Sequence, residues 1–192
     1  MYIVFEGIDG AGKSTQIQML KEWLEANGFR VDTLVEPTDS EVGKLIRKIL
    51  QRPDATSERL LKSLALLFAA DRMLIMDRLE DESKIIISDR SFISSLAYQK
   101  PVDWVEVINR YAKKPDLIIL LDLDVIKSVA RTSGKDTFED EEFLTGVRQN
   151  YLKLAEEYTC EVIDANNGIN KVSSDIKKAV APYLGICPDC IL

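Results

Sequence analysis

Residues 3–20 read IVFEGIDGAGKSTQIQML. Ile3, Val4 and Phe5 run straight into a glycine-rich turn, and residues at helical spacing follow. The turn Gly7-Ile8-Asp9-Gly10-Ala11-Gly12-Lys13-Ser14-Thr15 fits the phosphate-binding pattern G-x-x-x-x-G-K-[ST]. Each part has a physical task. Glycines let the main chain curl until successive N–H groups converge on an anion. The helix that starts there turns the positive end of its dipole toward the same point. Lys13 reaches the outer phosphates, and the Ser14 hydroxyl suits Mg²⁺. The bland alternative is an ordinary strand-to-helix turn with an exposed lysine. The placement between strand and helix argues instead for a site that binds a nucleoside triphosphate with Mg²⁺.

Outward from this stretch, apolar runs of strand length alternate with segments at helical spacing. Strands are expected at 29–35, 84–88, 117–121 and 160–163, and helices at 14–26, 40–51, 57–80, 92–99, 103–112, 124–132, 139–158 and about 170–184. This alternation predicts an α/β fold, a five-stranded parallel sheet with helices on both faces, whose apolar strands are buried on both sides. The 192 residues make one domain, with a polar break at about 131–138 that suits a short lid. In such sheets ligands sit beyond the carboxyl ends of the strands. The polar residues expected there are Asp9, Glu36, Asp89 with Arg90, Asp122 and Asp164.

Composition narrows the function. Twenty-five basic residues against 32 acidic ones give a net charge of −7, which disfavours a large nucleic-acid surface. An anionic small substrate then requires locally concentrated positive charge. No apolar run reaches membrane-spanning length and the chain opens on a strand rather than a signal sequence, so a cytoplasmic protein is expected. There is no histidine, which removes the commonest general base. Cys160 falls in an apolar run and reads as core. Cys187 and Cys190 form a lone C-x-x-C without the further ligands that zinc needs; free thiols, a disulfide or a metal shared across a dimer are its readings.

A second constellation follows the 84–88 run. Asp89 is placed to hold Mg²⁺ through water, with a helix N-cap as the alternative. Arg90 beside it needs an anionic partner. Ser94, Ser95 and Tyr98 fall on one side of the next helix.

The lead-in and loop FEGIDGAGKST resemble the opening of the thymidylate kinase (dTMP kinase) family. Asp89-Arg90-Ser91-Phe92-Ile93-Ser94-Ser95-Leu96-Ala97-Tyr98-Gln99 is similar to that family's second signature. Leu67-Phe68-Ala69-Ala70-Asp71-Arg72 resembles its base-binding helix, Glu36-Pro37-Thr38 its Glu-Pro loop, and 143–154 with Arg148 the helix after its lid. The resemblance spans about residues 1–165 and implies ATP as donor, dTMP as acceptor and a homodimer. It implies that Asp9 bonds the 3′-OH, Phe68 stacks on thymine, Arg72 binds the O4 edge, and Arg90 holds the acceptor phosphate with Arg47 as a second candidate. Ser94 and Ser95 would sit by the base, and Tyr98 would crowd the 2′ position. An aromatic face suits a planar base, and a guanidinium fork suits a carbonyl or phosphate; for Phe68 alone, a place in the core stripe is the competing reading. Because Gly10 stands where some members carry an arginine, the lid would supply the catalytic cation, from Arg131 or Lys135.

Three departures are visible. Ser91 replaces an aromatic residue and is expected to alter a wall of the acceptor pocket, the lid offers Lys135 where a second arginine is common, and the Glu-Pro loop lacks a glycine pair. The reading is an ATP-dependent thymidylate kinase. Its rivals are a kinase with another or broader deoxynucleotide acceptor such as dUMP and, from a different class, an ATP-driven switch or partition ATPase. The apolar helix at 57–80 is the expected homodimer contact.

Overall fold

The computed structural model describes residues 1–132 and 141–186. Lys135, most of the expected lid, Cys187 and Cys190 lie outside them. Five strands, β1 (Tyr2–Glu6), β2 (Val31–Val35), β3 (Ile85–Asp89), β4 (Leu117–Asp122) and β5 (Glu161–Asp164), form one parallel sheet in the order β2-β3-β1-β4-β5. The helices are α1 (Lys13–Ala26), α2 (Glu41–Leu50), α3 (Glu58–Met73), α4 (Met76–Leu79), α5 (Phe92–Tyr98), α6 (Val102–Asn109), α7 (Val125–Thr132), α8 (Glu141–Glu157) and α9 (Ile169–Val180), the last followed by a 3₁₀ turn at Ala181–Leu184. Helices α1 and α9 pack on each other and on the sheet, while α5, α6 and α8 form a separate layer. Right-handed crossovers put these two groups on opposite faces of this strand order.

The expected alternation is present, with two corrections. The strands are not all buried on both faces: β1, β3 and β4 are, but β2 and β5 are edge strands and are largely accessible. Asp32 and Glu161 on these strands are tolerated because they face solvent on one side. The single helix expected at 57–80 is two. The chain breaks at Leu74 and Ile75 with no glycine or proline present. The break lets α4 fold over Tyr2, Val4, Leu34 and Ile86, where Leu79 completes a small second core with Ile75 and Met76 packed against it. Tertiary packing overrides a continuous helical pattern here. Ser57 stands at the N-cap of α3 but makes no capping bond.

The register positions the site. Asp89 pairs with Phe5 on one side and Val35 on the other, so the ends of β2, β3 and β1 are level. The ladders run one step further, Glu36 N–H donating to the Asp89 carbonyl and Arg90 N–H to the Phe5 carbonyl. Glu6, Glu36 and Arg90 therefore meet at one rim.

Leu79→Ala removes the anchor of α4. It is expected to lower the unfolding free energy by about 3 kcal/mol in urea denaturation; a loss below about 1 kcal/mol would mean that α4 contributes no core.

Candidate active site

Two adjoining cavities open at this rim. One, of about 340 Å³, is lined by Gly10, Gly12, Lys13, Ser14, Thr15 and Asp89. The other, of about 220 Å³, is lined on its apolar side by Pro37, Leu50, Leu61, Leu64 and Phe68, and on its polar side by Arg72, Ser94, Ser95, Tyr98 and Gln99. Asp9, Glu36 and Arg90 belong to both.

In the first cavity the loop enters α1 through Gly12, in left-handed conformation. The Lys13 ammonium donates to the carbonyls of Gly7 (3.0 Å) and Ile8 (3.2 Å). Burial and then the nearby Arg90 bring it down to about 8. The Ser14 hydroxyl donates to Asp89 at 3.0 Å. The Ser14 hydroxyl and the Asp89 carboxyl group are both oxygen donors, a set that fits Mg²⁺. The capping alternative for Asp89 fails, because Ser91 caps α5. Gly10 is pressed by α7: an added Cβ would come within 3.1 Å of the Ser128 carbonyl and 3.4 Å of the Arg131 Cβ. Arg131 in turn donates to the Gly10 carbonyl at 2.9 Å, so the arginine proposed for the lid does lie over the loop. Ser128 adds a bond to the Asp9 carbonyl at 2.6 Å.

Arg90 sits where the cavities meet. Its backbone is left-handed (φ 78°), a strained state for a residue with a side chain. Its guanidinium donates to Asp9 at 2.6 Å, to Ser94 at 3.0 Å and to the Tyr151 hydroxyl at 3.1 Å, and lies over the Tyr98 ring at 5.3 Å. Burial opposes ionisation of Asp9, but Arg90 and Lys13 prevail and hold its carboxyl below the usual range. Glu6, wholly buried, takes bonds from Ser91 (2.7 Å), Ser94 (2.6 Å) and Tyr151 (3.0 Å). Ser91 is thus a cap and a tie between α5 and β1. It is absent from the cavity lining.

In the second cavity, α3 presents Phe68 and Arg72. Arg72 is buried and donates to Glu36 (2.7 Å), Asn109 (2.7 Å), the Ser91 carbonyl (2.9 Å) and Ser95 (2.9 Å), and lies 5.7 Å from the Phe68 ring centre. Burial, with Glu6 and Asp71 nearby, raises Glu36 to about 7 against the pull of Arg72. The preceding residue of α3, Asp71, clamps the Glu-Pro loop, accepting from Thr38 N–H (2.7 Å), Thr38 Oγ1 (2.6 Å) and Ser40 Oγ (2.6 Å). Gly43 lets α2 approach this loop: a Cβ there would stand 1.9 Å from the Thr38 carbonyl oxygen. The Tyr98 hydroxyl and the Gln99 Oε1 are buried without partners among the described residues.

Other expected residues are elsewhere. Arg47 donates to the carbonyls of Thr38 and Pro37 and to Asp39, and does not line the cavity. Asp122 is engaged by both arms of Arg148, and Asp164 holds Asn166 and Asn167 in the turn after β5. Sequence reasoning assigned no role to Glu6, Asn109, Gln99 or Ser128. An acid ending a buried apolar strand was a usable signal for Glu6. A lone Asn at a helix end carried none.

The comparisons with known proteins agree with this geometry. The family model for thymidylate kinase matches residues 5–176. A probable thymidylate kinase of Methanobrevibacter smithii is 72% identical over 191 residues, covering 100% of both chains. One from Methanothermobacter thermautotrophicus is 45% identical, again over 100% of both chains, and one from Pyrococcus horikoshii is 43% identical, covering 91% of this chain and 93% of its own. The chain belongs to the thymidylate kinase family.

Proposed function

We propose that the protein transfers the γ-phosphoryl group of ATP to dTMP, giving dTDP and ADP for dTTP synthesis. One observation carries this reading. A phosphate loop and a cavity bearing an aromatic ring and an arginine meet at a single guanidinium, Arg90, beside Asp9. An acceptor phosphate oxygen is already anionic and needs no strong base, which suits a chain without histidine. Catalysis then consists of alignment and neutralisation of charge by Lys13, Arg90 and Arg131. Ser14 and Asp89 would hold Mg²⁺, which when bound shields the β- and γ-phosphates.

In the acceptor cavity, Asp9 takes the 3′-OH, Phe68 stacks on the base and Arg72 donates to O4. Ser94 and Ser95 stand beside the base, and Gln99 offers its unpartnered amide oxygen to the ring N–H. Tyr98 closes the sugar side. Glu36 acts through Arg72, and Arg47 through the loop it braces. The site of action is the cytoplasm, where both nucleotides are found; among the described residues no helix is long and apolar enough to cross a membrane.

A homodimer is part of the proposal. Leu66 and Met73 fall on one face of α3 and are exposed, as are Leu74 at its C-cap, Val107 of the neighbouring α6 and Tyr111 just beyond that helix. Two such faces pressed together bury apolar area that a monomer leaves wet.

Arg72→Lys keeps a charge beside Glu36 but loses the fork. It is expected to raise the KM for dTMP at least about tenfold while that for ATP stays within about twofold; equal changes would refute the assignment. A bound triphosphate requires protonated Lys13, which burial and the nearby Arg90 bring down to about 8. ATP binding should therefore take up protons near pH 8 and weaken above it, by up to about tenfold per unit, measured by calorimetry in buffers of different ionisation heat. Light scattering at micromolar concentration should give twice the chain mass, and Leu66→Glu with Met73→Glu should halve it.

A further inference from the structure

A guanidinium has five N–H hydrogens. On Arg72 four are engaged: Nε with Glu36, both Nη2 hydrogens with the Ser91 carbonyl and Ser95 Oγ, and one Nη1 hydrogen with Asn109 Oδ1. Among the described residues the second Nη1 hydrogen has no partner, and Arg72 lines the acceptor cavity. The number of donors that the cavity offers is thus set by the residue that occupies the other one.

That residue, Asn109, ends α6 and is buried. It lies outside the motifs that mark the site and does not line the cavity itself. Its amide can face Arg72 in only one sense. Nδ2 donates to the Val105 carbonyl at 2.8 Å, one turn back on the same helix, which leaves Oδ1 toward the guanidinium. The flipped amide would set donor against donor. Helix α6 packs on α3, so the acceptor is held on a rigid neighbour rather than on a loop.

We infer that Asn109 is a positioning residue that sets the acceptor's selectivity at the pyrimidine 4-position. By holding one Nη1 hydrogen it leaves Arg72 a single donor fixed toward the base. One fixed donor pairs with the 4-oxo group of thymine or uracil and opposes the 4-amino group of cytosine, donor to donor. Without Asn109, Arg72 gains a loose second donor and a freedom of rotation, and the distinction between oxygen and amine weakens. The inference rests on the reading that Arg72 binds the base.

The test compares kcat/KM for dTMP and dCMP at saturating ATP in the full-length enzyme, with dissociation constants from calorimetry where dCMP turnover is too slow. Asn109→Leu keeps the size of the side chain and removes the acceptor. It is expected to lower the dTMP-to-dCMP ratio about tenfold through the KM of dTMP, with the KM of ATP within about twofold. Asn109→Asp keeps an oxygen toward Arg72 and should hold the ratio within about twofold of the parent. Asn109→Ala replaces the Leu variant, under the same criteria, should the latter not fold. A ratio unchanged in the Leu variant, or lost equally in the Asp variant, would overturn the inference. Arg72→Lys separates the two ideas. If it lowers the ratio while Asn109→Leu does not, only the role of Asn109 fails; if it leaves the ratio unchanged, the reading of Arg72 fails and this inference with it.

Discussion

The Arg90 guanidinium is held from four directions. Asp9 takes one arm, Ser94 and Tyr151 take the other, and the Tyr98 ring lies beneath it. The main chain at this residue adopts a strained left-handed turn, tied by its N–H to the end of β1. Behind it Glu6, fully buried, fixes Ser94 and Tyr151 through its own oxygens. A buried carboxylate is tolerated only when such donors satisfy it. The outcome is a cation fixed by several partners at the seam between the phosphate loop and the second cavity. Alignment of two anions is the main task in phosphoryl transfer, and under the proposed function this network serves it.

Around that seam the chain uses a small set of ties. Helix α3 supplies neighbouring residues with opposite duties: Asp71 fastens the Glu-Pro loop, and Arg72 turns inward to Glu36. Helix α7 reaches the phosphate loop at two consecutive carbonyls, through Ser128 and Arg131. Gly10 matches this closeness, because a Cβ there would stand only 3.1 Å from the Ser128 carbonyl and its φ of +75° disfavours a side chain. Arg131 lies in the adjoining space, its guanidinium on the Gly10 carbonyl.

Much of this was legible in the sequence, for identifiable reasons. The strands could be read because β1, β3 and β4 are central and apolar throughout; the edge strands β2 and β5 were overestimated in burial because their hydrophobic residues hid one wet face. The phosphate loop was legible because its function constrains both glycine positions and the lysine. The break at Leu74 was not, since nothing local demands it and only the small core under Leu79 does. Arg47 carried a charge in a suitable segment, yet the nearest unpaired oxygens belonged to the Glu-Pro loop, and it bonded those. Asn109 gained its place from a contact between helices 37 residues apart in sequence, which no local pattern encodes.

The contact at Gly43 governs motion as well as shape. With the Thr38 carbonyl seated against the glycine backbone, α2 and the segment before it cannot slide past one another. Leu50, at the far end of the same helix, forms part of the apolar wall. Asp71 of α3 holds Thr38 and Ser40 of the same stretch and Arg72 holds Glu36, so the loop, α2 and α3 make one continuous wall of the second cavity.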